Sequence, residues 1–179
     1  MPILLDNKIL QATEAKVESA LMPAVRADYM KIVVAGGEAA LHGGPTGLLA
    51  RLRQSRDPVA SCATGALNLV FLLRMQAKGT MPLQAMIPAA MTLMLQALDF
   101  ADRMGVAKVG VDELERATHV FANHLFKVLG VSPQRLTAMA SQVHGVMQDP
   151  TKMELIKRRA GVVKDPRASE PTMEAADGV

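Results

Sequence analysis

Four histidines, one cysteine, two glycine pairs, one acidic helix start and two basic clusters are the groups in this chain whose types and spacing could do chemistry. The histidines are His42, His119, His124 and His144. Two imidazoles bind one zinc ion from a helix when they share a face, as in His-Glu-x-x-His. His119 and His124 are five apart and fall on different faces, so no metal site is expected. Cys62 lies in Ala60-Ser61-Cys62-Ala63-Thr64, among small uncharged neighbours. A reactive thiolate needs an electropositive, partly exposed setting, so Cys62 reads as a buried structural thiol. As the only cysteine it excludes an internal disulfide and a four-cysteine zinc site. The small residues Ala60, Ala63, Thr64 and Ala66 suit a close helix–helix contact.

Gly36-Gly37 and Gly43-Gly44, with Gly47 close behind, invite comparison with a phosphate loop. Such a loop follows a strand and ends in Gly-Lys-Ser/Thr. Here Gly47 is followed by Leu48-Leu49, so the glycines read as a helix end and a turn. Asp112, Glu113 and Glu115 open a helix, where the dipole favours anions; Asp112 is expected to cap it. A catalytic reading would need Asp112, Arg116, His119 and His124 around one pocket, and one helix cannot aim all four inward. No catalytic, cofactor-binding or metal-binding residue is therefore assigned, and the chain is read as a non-enzyme without a cofactor. Arg51 and Arg53 in one cluster, and Lys157, Arg158 and Arg159 in the other, are the candidate phosphate contacts. Asp57, Asp149 and Glu154 dilute them, and no aromatic residues interleave to stack bases. Nucleic-acid contact is expected only as an incidental, charge-driven activity.

These groups must be carried by helices. Half of the 179 residues are hydrophobic and 21% are charged, which excludes disorder throughout. There are 13 Met but no Trp, one Tyr and four Phe. Sheets lean on aromatic and β-branched residues; a core of Ala, Leu and Met favours helices. Asp57-Pro58, Ser132-Pro133 and Asp149-Pro150 each pair a capping side chain with a proline at the first helical position. Gly105, Gly130 and Gly161 follow helical patterns as stop signals.

The expectation is an all-α fold, a single helical-bundle domain of about seven or eight helices over residues 1–161, with an extended or disordered tail over 162–179. Helices are expected over about 6–21, 23–42, 58–73, 79–104, 112–129, 132–147 and 150–160, with a short one carrying Leu48, Leu49 and Leu52. Val106, Val109 and Val111 suggest a brief extended piece between two of them. Residues 58–73 and 79–98 carry no charge. The second run has the length of a membrane span of ~20 residues, yet it holds Pro82, Gln84, Pro88, Thr92 and Gln96, and neither run has Trp or Tyr at its ends. Both are read as buried helices of a soluble bundle, with insertion as a hairpin left open for special conditions. The start, Met1-Pro2-Ile3-Leu4-Leu5-Asp6, lacks the pattern of a secretory signal, and synthesis in the cytoplasm is expected. The net charge of +3 commits the chain to no polyanion.

The stretch Gly79-Thr80-Met81-Pro82 through Met86-Ile87-Pro88-Ala89-Ala90-Met91, on to Leu98-Asp99-Phe100-Ala101-Asp102, resembles the Ala- and Met-rich virion proteins of tailed bacteriophages, and Gly161-Val162-Val163-Lys164-Asp165-Pro166 adds to the likeness. The whole is similar in texture to the helical internal or ejection-type structural proteins of short-tailed phages. That resemblance implies a virion subunit made in the bacterial host cytoplasm, which forms a homo-oligomer and packs against portal, tail or ejection proteins. It also implies a role in genome delivery and membrane contact on ejection. Met86, Met91 and Met94 are the expected oligomer and partner contacts. The competing expectation is a bacterial cytoplasmic regulator, or a bundle that binds a small apolar ligand in its core.

Overall fold

Local capping chemistry sets most of the helix ends. The computed structural model describes residues 5–41 and 47–132. Asn7 caps α1 (Lys8–Ser19) by accepting the Ile9 N–H at 3.0 Å. A 3₁₀ turn, Pro23–Val25, leads into α2 (Arg26–Leu41), and α3 (Leu48–Gln54) is short. Asp57 caps α4 (Pro58–Gln76) by accepting the Ala60 N–H at 3.0 Å, with Pro58 in the first turn as its sequence signals. Gly79 follows α4 at φ +76°, a conformation that glycine adopts without a Cβ clash. α5 (Leu83–Arg103) is followed by Gly105 and α6 (Val111–Val128) by Gly130, both at positive φ, as expected of stop signals.

The described residues are all-α, with six α-helices and no strand. The brief extended piece expected around Val106 and Val109 is therefore absent among them, and Val111 already belongs to α6. Gly110, not Asp112, holds the N-cap position of α6. Glu113 accepts the Gly110 N–H at 2.9 Å, and so does the capping work expected of Asp112. The chain divides into two compact units, Met1–Gly130 and Val131–Val179. That division falls inside the single 1–161 domain expected from the sequence. The helices expected beyond residue 132 and the 162–179 tail lie outside the described residues.

The core of the first unit forms around α5. Residues 92–99 are buried without interruption, so this segment has no solvent face. Ala85, Ala89, Ala97 and Ala101 follow one i, i+4 row with Leu93 between them and let neighbouring helices come close. α2 uses that space. A Cβ on Gly36 would lie 2.4 Å from Leu93 Cδ1, so any larger residue where α2 crosses α5 would have to displace the Leu93 side chain. The pair Gly36-Gly37 is thus an interhelix contact inside α2 rather than the expected helix end and turn. Gly43-Gly44 lies outside the described residues. α4 buries Val59, Cys62, Ala63, Ala66, Leu67 and Val70. Ala63 and Ala66 belong to the small-residue contact expected there, while Ala60 and Thr64 are half-buried.

Candidate functional site

A polar brace fixes the C-terminal end of α5. Asp99 is fully buried, and its Oδ1 accepts the backbone N–H groups of Asp6 at 2.8 Å and Asn7 at 2.9 Å. Its Oδ2 lies 2.9 Å from Arg103 Nε, one helical turn away, and Asp6 Oδ2 lies 3.6 Å from the same nitrogen. Asn7 Nδ2 donates to Asp102 Oδ2 at 2.9 Å and to the Val109 carbonyl at 3.0 Å. The start of α1 and the strap after α5 are thereby tied to one carboxylate pair. Asp99 Oδ2 meets Arg103 as an ion pair but accepts no hydrogen bond, and the brace as a whole ties three chain segments together.

The residues weighed for catalysis are split between separate tasks. Arg116 Nη1 pairs with Asp57 Oδ2 at 2.7 Å, and His124 Nε2 lies 2.8 Å from Asn68 Oδ1. Both contacts clamp α6 to α4. His119 and Asp112 are exposed, and the four are not gathered at a pocket. His42 and His144 lie outside the described residues. Among the described residues no group of three or more His, Cys, Asp and Glu could hold a metal ion. Met86 and Met94 are buried within this unit at 2% and 1% exposure, and Met91 is half-buried against the core. The expected contact residues are therefore core packing, because α5 is the central helix. Exposed large apolar side chains include Leu72 and Met75 near the end of α4 and Leu83 at the start of α5, together with Met22, Met104 and Val111 on other parts of the unit. The 77–82 connector joins α4 to α5, so Leu72, Met75 and Leu83 flank it at one end of the hairpin. Arg51 and Arg53 are exposed on α3, whereas Lys157, Arg158 and Arg159 lie outside the described residues.

The feature that sequence reading missed is a cavity of about 650 Å³ between α2, α3, α4 and α5. That volume lies in the range of small-molecule sites, ~300–1,000 Å³. Its walls include Gly37, Ala39, Gly65, Ala66, Leu69 and Phe100, so small side chains make the space and larger apolar ones line it. Gly65 is exposed on α4 and lines the cavity, and a Cβ there would meet nothing within 4 Å. Cys62 also lines the cavity. Burial, with a smaller contribution from Asp57, pushes its thiol up to about 12. It is protonated at neutral pH and a poor nucleophile, in keeping with the structural thiol expected. The run of small residues Gly36, Gly37, Ala39 and Ala40 was the available sequence signal, but it reads equally well as a packing face.

No protein-family model, no curated protein and no solved structure matches this chain.

Proposed function

We propose that this chain is a non-enzymatic assembly subunit, a bacteriophage virion component that forms a homo-oligomer and packs against portal, tail or ejection proteins. One observation carries the assembly role: α4 is among the most apolar of the described helices, yet only 33% of its apolar stretch is buried in the unit. Leu72 at 46% and Met75 at 69% exposure near the end of α4, and Leu83 at 40% at the start of α5, flank the connector of the hairpin. Uncovered apolar surface of that kind suits contact with another subunit, and Met adapts its shape to the partner. The sequence texture of residues 79–102 is what points to a virion. Both α4 and α5 are long and apolar enough to cross a membrane, which suits contact with an envelope on genome delivery. Light scattering of the full chain over a range of concentrations tests the assembly role, followed by mixing with virion extracts. A mass that rises with concentration is expected; a strict monomer that acquires no partner removes the reading.

The cavity favours a second reading, a helical bundle that binds a small apolar ligand. Native mass spectrometry of freshly purified protein checks it, with a co-purifying adduct of fixed mass as the expected result.

A further inference from the structure

The cavity has two unlike ends. Ser55 Oγ lies 2.6 Å from Ser61 Oγ, so the end of α3 is fastened to the first turns of α4. Arg51, one turn earlier on α3, lines the cavity at that end together with Ser61. α5 runs back along α4 through the 77–82 connector, which brings Arg103, on its last turn, to the same end. Leu69 and Leu72 line the cavity about 12 and 16 Å further along the α4 axis, by helix rise.

The polar side chains between these ends are already occupied. Thr64 Oγ1 donates to the Ala60 carbonyl, Asn68 Oδ1 meets His124, and Gln96 interacts with the Glu14 carboxyl. What they present to the cavity is therefore mostly carbon. At the polar end, Asp57 is paired with Arg116 and Asp99 with Arg103. Arg51 makes no ion pair among the described residues and is exposed at the cavity wall.

We infer that the cavity takes a single-chain anionic amphiphile, its carboxylate on Arg51 and its apolar chain running along α4 toward Leu72. The inference rests on the ligand-binding reading of the cavity and adds the headgroup charge and the direction of the chain. A guanidinium recognises a carboxylate with two parallel charge-assisted hydrogen bonds. Small residues from α2 and α4 leave an open slot in which one side of the chain is covered by apolar surface.

Calorimetric titration of the full-length protein with decanoate, decylammonium and decanol, all below their aggregation thresholds, tests it. Decanoate is expected to bind one per chain, at least about tenfold tighter than decylammonium. Arg51→Gln should weaken decanoate by about the same factor and leave decanol unchanged. Gly65→Leu projects into open space and should abolish binding of decanoate and decanol while the helical circular dichroism is retained. Ala39→Phe narrows the slot from the opposite wall and covers the case in which the Gly65 variant fails to fold. Failure of the wild-type protein to bind any of the three overturns the cavity reading and this inference together. Equal binding of acid and amine, or a preference that survives Arg51→Gln, overturns the headgroup assignment alone. Decanoate binding that survives both slot-filling variants overturns the placement of the chain.

Discussion

α4 and α5 are near twins in composition and opposites in fate. Each contains an uncharged run, and each is long and apolar enough to pass for a membrane span. Two thirds of the apolar stretch of α5 is buried in the unit, against one third of that of α4. The difference comes from what surrounds each helix. α5 is packed by α1, α2, α3 and α4, and its alanine row and the glycine on α2 let them approach. α4 packs closely against α5 and α6 but only lightly against α2 and α3, and it borders the cavity and carries the exposed Leu72–Met75 end. Apolar composition thus makes a helix available for burial, and the size of the side chains facing it decides whether burial happens.

The sharpest way to break this contrast is at the polar brace, because full burial of α5 depends on satisfying Asp99. In Asp99→Ala the N–H groups of Asp6 and Asn7 lose their acceptor and Arg103 loses its buried partner. A loss of about 2–4 kcal/mol is expected in urea unfolding, mainly from the two N–H groups left without an acceptor, because Arg103 is 41% exposed and regains water. Under about 1 kcal/mol, α5 would owe its place to apolar packing alone. The next effect compares two glycines. Gly36→Ala gains helix propensity but drives a methyl into Leu93, for a net loss of about 1–2 kcal/mol. Trimming the neighbour in Gly36→Ala/Leu93→Ala should recover part of the loss that the two single changes sum to. Gly65→Ala on α4 meets no neighbour and should instead stabilise by about 0.5–1 kcal/mol. The same chemical change is expected to have opposite signs on the crowded and the open side of the bundle.

Much of this is legible in the sequence, and what is legible is local. Asp57-Pro58, Gly105 and Gly130 set helix ends through hydrogen bonds and dihedral angles that involve only a few consecutive residues. The two uncharged runs announced two helices for the same reason. The partner of each helix was not legible. Met86 and Met94 looked like contact residues because nothing local separates a methionine on a central helix from one on an outer helix. Gly36-Gly37 looked like a helix end because the reason for a glycine there, Leu93, lies more than fifty residues away. Asp99 gave no signal because its partners, Asp6 and Asn7, come from the far end of the chain. The cavity is a gap between four helices, and no single segment encodes it.

A smaller effect sharpens the other half of the comparison. Met75→Lys replaces the most exposed large apolar side chain at the open end of α4. Stability should move by less than about 0.5 kcal/mol, since the site is outside the core. Self-association in light scattering should fall, because a charge at a desolvated contact is costly. Unchanged association would move the assembly surface to Val111, Val128 and Leu129 on and beside α6.

The smallest effect comes from the cost of packing a charge against α5. Glu14 on α1 is half-buried beside Gln96. Burial is the main cause that raises its pKa above the ordinary carboxylate value, Glu18 and Asp99 add to the rise, and the Gln96 hydrogen bond opposes it. A raised carboxyl binds its proton more tightly in the folded chain than in the unfolded one. The folded state therefore loses stability as pH climbs from the ordinary glutamate range through the raised value, and recovers it on acidification. Glu14→Gln removes that loss and keeps an amide to meet Gln96. The variant should be more stable than the wild type at pH 7, by a fraction of a kcal/mol because solvent screens a half-exposed group. Below the glutamate range the two melting temperatures should converge. A difference that persists in acid would mean that Glu14 acts through its packing and not its charge, and that α5 accepts polar neighbours on the same terms as α4.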